Sequence, residues 1–387
     1  MAPLQCTNGH PLYKWKKARL WQGWVEEASC ALCKVSLGRN DMRMTCGQKC
    51  AYRVCLACAK NANTPLLPPE IGAITMVGDS WGRLVAHTGH HIKGPLFMEY
   101  EGLLGAAKAE YVSTPGFRPG DVLLVVDVQN DFIPQDDAPL GGKFGVAEGA
   151  DAAKLIVQLI DAAASKGAKI VSTRDYHPKN HCSFSHNGGP FPAHCIQGLP
   201  GSFFFPPVEQ ALLKAREFGA DVSVVFKGFA PGVESFGGFQ YTREHFAERF
   251  DGLPYCDPEQ AVCQCCAVDW TGCFVLECSG LDEDLNAPPD VMSVLSRRTM
   301  SDHVGADCKR IFAVGLSLDF CVLDSVVNAS AAGLASEGLF VIADATRAAH
   351  IPGIGPVGTG FLTPVEQVVG KLRKCGAKLT LASMMEN

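Results

Sequence analysis

The sequence predicts a three-layer α/β/α fold with a mainly parallel sheet, preceded by a small cysteine-rich zinc-binding module. Three observations lead there. From residue 119 onward short unbroken apolar runs alternate with amphipathic helical stretches; polar residues able to do chemistry stand at the ends of those runs; and seven of the 18 cysteines fall before residue 60. Buried strands that alternate with helices argue for a parallel sheet covered on both faces.

At 387 residues the chain exceeds one ordinary domain, and 47% hydrophobic against 19% charged residues is the composition of a globular protein with a sizeable core. A formal net charge of -6 argues against nucleic acid as a partner. No apolar run nears the roughly 18 residues of a membrane span. The start "MAPLQCTNGHPLYKWKK" lacks the apolar segment of a signal peptide, so no membrane partner and a cytoplasmic site, with the nucleus also open, are expected. In that reducing setting the cysteines read as metal ligands, reactive thiols and small packing residues.

Residues 1–60 hold four ligand pairs: Cys6-x3-His10, Cys30-x2-Cys33, Cys46-x3-Cys50 and Cys55-x2-Cys58. Four pairs suffice for two tetrahedral structural zinc sites, and so short a segment with few aliphatics needs such a staple to fold. The basic cluster "KWKKARLW" at 14–21 reads as a solvated face. Residues 61–118, punctuated by Pro and Gly, read as a linker or small uncharacterised segment, and 119–387 as the α/β domain. Within it "DVLLVVDV" (121–128), "AKIVSTRD" (168–175), "DVSVVFKG" (221–228), "RIFAVGLS" (310–317) and "GLFVIADA" (338–345) are apolar runs of strand length. "GADAAKLIVQLIDAAASKG" (149–167), "CVLDSVVNASAAGLAS" (321–336) and "TPVEQVVGKLRKCG" (363–376) have helical spacing. A cysteine-rich insertion, 251–309, interrupts the alternation. Its six cysteines between Cys256 and Cys278 match no metal-binding spacing and read as packing residues.

In such sheets ligands sit beyond the carboxyl ends of strands, where Asp127, Asp175, Lys227 and the "LSLDFC" turn all fall. Cys321 ends that turn and opens a helix, whose positive end and backbone N–H groups favour thiolate, the state of a nucleophile. Asp127 is placed to take the thiol proton, and Lys227 to steady developing negative charge. Taken singly, each also suits a plainer role as a packed cysteine, a helix cap or an exposed strand end. The stretch 175–198 holds four histidines. Asp175 and His177, two apart on an extended chain, point the same way, and His194 on a returning loop completes a carboxylate and two imidazoles, a set suited to Zn, Fe or Mn. His181 reads as a further ligand or a support for one, and His186 as a solvated loop residue.

Six segments, "DVQNDF" (127–132), "LGGKFGVAEG" (140–149), "TRDYHPKNHCSF" (173–184), "FPAHCIQGLPGSFF" (191–204), "FKGFAPGVESFGGF" (226–239) and "VGLSLDFCVLDSVVNASAAG" (314–333), resemble, in family order, the nicotinamidases of the isochorismatase-like cysteine hydrolases. The resemblance covers about residues 119 to 383. It implies an isochorismatase-like fold, a triad of Asp127, Lys227 and Cys321, and one catalytic divalent metal on Asp175, His177 and His194. It further implies a cis peptide at Leu316–Ser317, an oxyanion hole of the Ser317 and Cys321 backbone N–H groups, and Phe132 lining the substrate pocket. The implied activity is hydrolysis of nicotinamide to nicotinate and ammonia through a cysteine thioester, a step of NAD salvage. The N-terminal pairs resemble cross-braced zinc fingers of the ZZ and DC1 type, which implies two structural Zn and a protein or peptide partner for that module.

The chain departs from the family's pattern at Tyr176 (usually Trp), Leu199 (Thr), Glu234 (Asp) and Ser317-Leu318 (Ala-Thr). None is a triad or metal position, but Glu234 and Leu318 bear on pocket shape. Two other readings stay open at this point: a superfamily amidase for a carbamoyl or ureido substrate, and a non-catalytic regulatory protein built on the hydrolase scaffold. Self-association as a homo-oligomer is likewise left open.

Overall fold

The computed structural model describes residues 93–138, 140–250, 285–286 and 299–386, together with the backbone of several short strands elsewhere. The chain divides into two compact units, Met1–Ser80 and Trp81–Asn387. In the first, β1 (Leu12–Trp15), β4 (Arg43–Cys46) and β5 (Arg53–Cys55) form an antiparallel sheet of order β1-β4-β5, and β2 (Ala28–Ser29) pairs with β3 (Ser36–Leu37). Cys46 and Cys55 lie on those strands, opposite Leu12 and Arg43. The remaining ligand candidates, Cys6, His10, Cys30, Cys33, Cys50 and Cys58, lie outside the described residues, as does any zinc geometry.

The second unit opens with α1 (Pro95–Ala106) and β6 (Thr114–Pro115). The chain then runs β7 (Asp121–Val126), α2 (Gly149–Ser165), β8 (Lys169–Asp175), α3 (Pro206–Glu217), β9 (Val222–Lys227) and α4 (Arg243–Phe250). It continues through β10 (Phe274–Val275), α5 (Met300–Val304), β11 (Arg310–Leu316), α6 (Leu323–Ala331), β12 (Gly338–Arg347), α7 (Val365–Lys374), β13 (Lys378–Thr380) and β14 (Met385–Glu386). The sheet order is β10-β9-β8-β7-β11-β12-β13, parallel apart from the two-residue edge strand β10. Every residue of β7 and β11 is buried, which explains their unbroken apolar sequences.

Successive side chains of a strand face opposite ways, and β7 divides its residues accordingly. Leu123 and Val125 join a core with α2 and α3, while Val122, Leu124 and Val126 join one with α1, α5, α6 and α7. The three-layer expectation is therefore met. Residues 95–106, read from sequence as part of a linker, instead form α1, which buries Phe97, Tyr100 and Leu104 at spacings of three and four. Glu148 fixes the start of that helix: its carboxylate accepts from Leu96 N (2.8 Å) and Phe97 N (3.0 Å) and lies 3.2 Å from Arg347 Nε. The tail of the expected insertion is also core, since Met300 and Val304 of α5 are buried. Leu285 is fully buried and Asn286 accepts from Phe204 N at 2.8 Å, while the cysteines from 256 to 278 lie outside the described residues. No described helix is long and apolar enough to cross a membrane.

Candidate active site and metal centre

The strand order reverses between β7 and β11, and the polar groups gather at the carboxyl ends beside that point. Asp127 follows β7 with φ of 50°, a left-handed conformation that Asp tolerates better than most side chains. Thr173 of β8 holds it there, its hydroxyl donating to Asp127 Oδ1 (2.7 Å) and accepting from Asp127 N (3.1 Å). Lys227, the last residue of β9, is fully buried and lies 2.9 Å from both Asp127 Oδ2 and Asp175 Oδ1. Its ammonium also reaches Cys321 Sγ at 3.6 Å. Cys321 belongs to a π-helical turn, Leu318–Val322, after a cis Leu316–Ser317 peptide. The Ser317 carbonyl accepts from Phe320 N and Val322 N, which brings both ends of the turn together. The structure thus brings together the three triad positions and the turn read from sequence.

Asp175 ends β8. Gln129 clasps its backbone, accepting from Asp175 N (2.7 Å) and donating to Asp175 O (2.8 Å). Two residues on, His177 exchanges backbone bonds with Cys195 and Gln197, and this pairing returns His194 to the site. His177 Nδ1 donates to Gly228 O (2.7 Å) and His194 Nδ1 to Pro192 O (2.8 Å). In the neutral imidazoles that leaves each Nε2 with a lone pair, 2.9 Å and 3.6 Å from Asp175 Oδ2. Two lone pairs and a carboxylate oxygen converge in a buried place where His177 Nε2 makes no hydrogen bond. Only a cation satisfies that arrangement, either a proton shared with Asp175 or a divalent metal, and histidines held through their far nitrogens are typical of metal sites. The donor set therefore fits a metal of the Zn, Fe or Mn class. Gly228 is required here: with φ of +64°, a Cβ would fall 2.5 Å from His177 Cε1.

His181 packs behind His177, ring centroids 4.0 Å apart, with Nδ1 2.8 Å from Ser183 Oγ and Nε2 3.1 Å from Val233 O. With His177 and Glu234 it makes a second set of closely grouped donors. His186 is exposed, as the sequence reading expected. Phe132 lies 5.5 Å from His194 by ring centroids, and Phe144, Phe191, Phe236 and Phe320 continue an aromatic wall past it. The sequence reading missed Thr173, Gln129 and that wall; of these, Gln129, a polar residue inside "DVQNDF", had a visible signal.

Burial dominates the site's electrostatics. It pushes the Asp127 carboxyl above its usual range although Lys227 opposes it. Burial acts the same way on Asp175 but is outweighed by His177 and Lys227, which hold that carboxyl well below its usual range. Lys227 is desolvated too, yet its two carboxylates keep it charged, with its pKa raised. Burial and Asp127 push the Cys321 thiol well above its ordinary value against Lys227. Burial thus works against the thiolate that the helix end favours. Cys321 is a buried thiol with a carboxylate beside it.

Residues 121–217 match the Isochorismatase domain model. The chain is 32% identical over 136 residues to a nicotinamidase of Escherichia coli, spanning 31% of this chain and 57% of that protein. It is 26% identical over 247 residues to a nicotinamidase of Acinetobacter baylyi, 60% of this chain and 83% of that one. A solved Acinetobacter baumanii nicotinamidase pyrazinamidase superimposes with a TM-score of 0.41 at 21% identity, covering 68% of this chain and 97% of that one. Lys227 and Cys321 lie beyond the matched domain residues, whereas Asp127, Asp175, His177 and His194 lie within them, so four of the residues singled out from sequence stand in a stretch that matches an isochorismatase domain.

Proposed function

We propose that the chain is a nicotinamidase, which hydrolyses nicotinamide to nicotinate and ammonia through a thioester on Cys321. One observation supports this most: the Lys227 ammonium lies within 2.9 Å of Asp127 and Asp175 and 3.6 Å of Cys321 Sγ, so base, nucleophile and metal-ligand set share one cation. Asp127, with its raised pKa, takes the Cys321 proton as sulfur attacks the carboxamide carbon. The carbonyl oxygen becomes an oxyanion held by Lys227 and the backbone N–H groups of Ser317 and Cys321. As the C–N bond breaks, Asp127 passes the proton to nitrogen and ammonia leaves. Water then attacks the thioester carbon and gives a proton to Asp127; the C–S bond breaks, Asp127 returns the proton to sulfur, and nicotinate is released. Asp175, His177 and His194 would hold a divalent metal, which would supply a Lewis acid to the substrate pocket. Phe132 and the phenyl wall exclude water and hold a flat ring.

The test is ammonia release from nicotinamide by purified protein beside Cys321→Ala and His177→Ala, with bound metal counted in each. Release lost in both variants, with less metal only in the histidine variant, is the expected result. No release from metal-loaded wild-type protein refutes the reading. The four N-terminal ligand pairs belong to the same proposal as two zinc sites of a protein- or peptide-binding module, supported by their spacing.

A further inference from the structure

Asp127 and Lys227 are anchored at the ends of β7 and β9, whereas Cys321 hangs on a turn after β11, and its sulfur must be held against both. A row of polar contacts reaches that turn from outside the pocket. Tyr241, His245 and Arg249 follow one another at four-residue spacing into and along α4, so they share a face. Tyr241 Oη donates to Asp324 Oδ2 (2.7 Å) and accepts from Gly237 N (2.9 Å). His245 Nδ1 lies 2.6 Å from Asn328 Oδ1. Arg249 Nε lies 3.2 Å from Asp324 Oδ2, and its Nη2 donates to the Asp319 carbonyl at 3.3 Å. The guanidinium also lies between two rings, 4.8 Å from Phe236 and 4.9 Å from Phe320. Asp324 and Asn328 are three and seven residues beyond Cys321, at spacings that keep them near its side of the helix. Ser325 accepts from Gly238 N and Asn328 donates to Phe239 O, each at 3.0 Å, which extends the row toward the segment after Lys227.

Apolar packing would join these elements at least as firmly, because a buried ion pair rarely stabilises more than a well-packed apolar pair. A guanidinium fork adds direction. Arg249 grips the carbonyl of residue 319, the ring of 320 and the carboxylate of 324, that is, both sides of Cys321. On the other side the Asp319 carboxylate accepts from Ala349 N at 2.9 Å. We infer that Arg249, braced by Tyr241 and Asp324, is a positioning residue that sets the nucleophile turn so that Cys321 Sγ meets Lys227 and Asp127. The inference rests on reading Cys321 as the nucleophile.

The test compares wild type with Arg249→Leu and Arg249→Lys by three readouts: kcat and KM for nicotinamide, the rate at which iodoacetamide alkylates Cys321, and the melting temperature. Residues 311–347 contain no other cysteine, so alkylation is followed by mass spectrometry on that tryptic peptide. Arg249→Leu is expected to lower kcat about 10- to 100-fold, the effect of a displacement near 1 Å, with KM within about threefold. Alkylation should slow about tenfold as the thiol loses its base. Arg249→Lys keeps the charge without the fork and should fall between. A lower melting temperature with kcat and alkylation within about twofold of wild type overturns the inference and leaves Arg249 a purely structural residue. If Arg249→Leu does not fold, a wild-type kcat in Arg249→Lys does the same. If wild type releases no ammonia but Arg249→Leu still slows alkylation, the positioning role stands and the nicotinamidase reading fails.

Discussion

Lys227→Met keeps most of the side chain's volume and removes its charge from between two buried carboxylates. Breaking a buried ion pair from one side costs about 3–5 kcal/mol, because the partner stays desolvated and unpaired. Lys227 Nζ lies 2.9 Å from a carboxylate oxygen of each aspartate, and neither aspartate is more than 5% exposed in its side chain. At roughly 2–4 °C per kcal/mol for a unit of this size, chelator-treated variant protein should melt about 10 °C below wild type. The pH dependence has a definite sign. Burial already raises the Asp127 pKa against the opposition of Lys227, so deleting the lysine raises it further. A carboxyl whose folded pKa exceeds its unfolded value of about 3.9 favours folding below that value, and the contribution is lost as pH rises through the folded pKa. The deficit should therefore grow from pH 5 to pH 8. Scanning calorimetry at the two pH values measures it, and ammonia release should fall about 10²- to 10³-fold, as for loss of one oxyanion donor. Equal melting of variant and wild type at pH 8, or a deficit larger at pH 5, refutes the electrostatic account.

His177→Ala and His194→Ala should each retain less divalent metal than Cys321→Ala when all three are loaded and dialysed together and the metal is counted by mass spectrometry. Gly228→Ala should cost at least about tenfold in metal affinity, measured by competition with a chelating dye, because the new methyl meets the His177 ring and the backbone sits at positive φ. Glu148→Ala leaves Leu96 N, Phe97 N and Arg347 without their shared acceptor, and should destabilise the unit by about 1–3 kcal/mol in urea unfolding.

The parts legible in the sequence were those with a short-range physical signature. β7, β8, β9, β11 and β12 showed as apolar runs because they are buried on both faces, and α2 showed because one stripe of it, from Ala152 to Ala163, packs on the sheet. Strand ends then pointed to Asp127, Asp175, Lys227 and Cys321. α1 escaped because Glu99, Glu101 and Gly102 interrupt its narrow apolar stripe, and Pro95 reads as a loop signal although it suits a first helical turn. Arg249 and Asp324 escaped because their contacts span about 75 residues and nothing in local spacing records them. The burial that opposes a thiolate escaped for a similar reason: the helix end is visible in sequence, but desolvation of Cys321 is a tertiary property.

The sheet order has one more consequence. β7, β8 and β9, which bring Asp127, the candidate metal ligands and Lys227, precede residue 251, whereas β11, which brings Cys321, follows residue 298, and within the sheet the two groups meet along the β7–β11 ladder in its middle. On the proposed mechanism, severing the connection between them separates acceptor from nucleophile and should leave neither piece able to turn over substrate alone. Turnover by the severed protein would then report reassociation, dependent on fragment concentration, and the ladder that shapes the fold would double as the seam of the proposed catalyst's two parts.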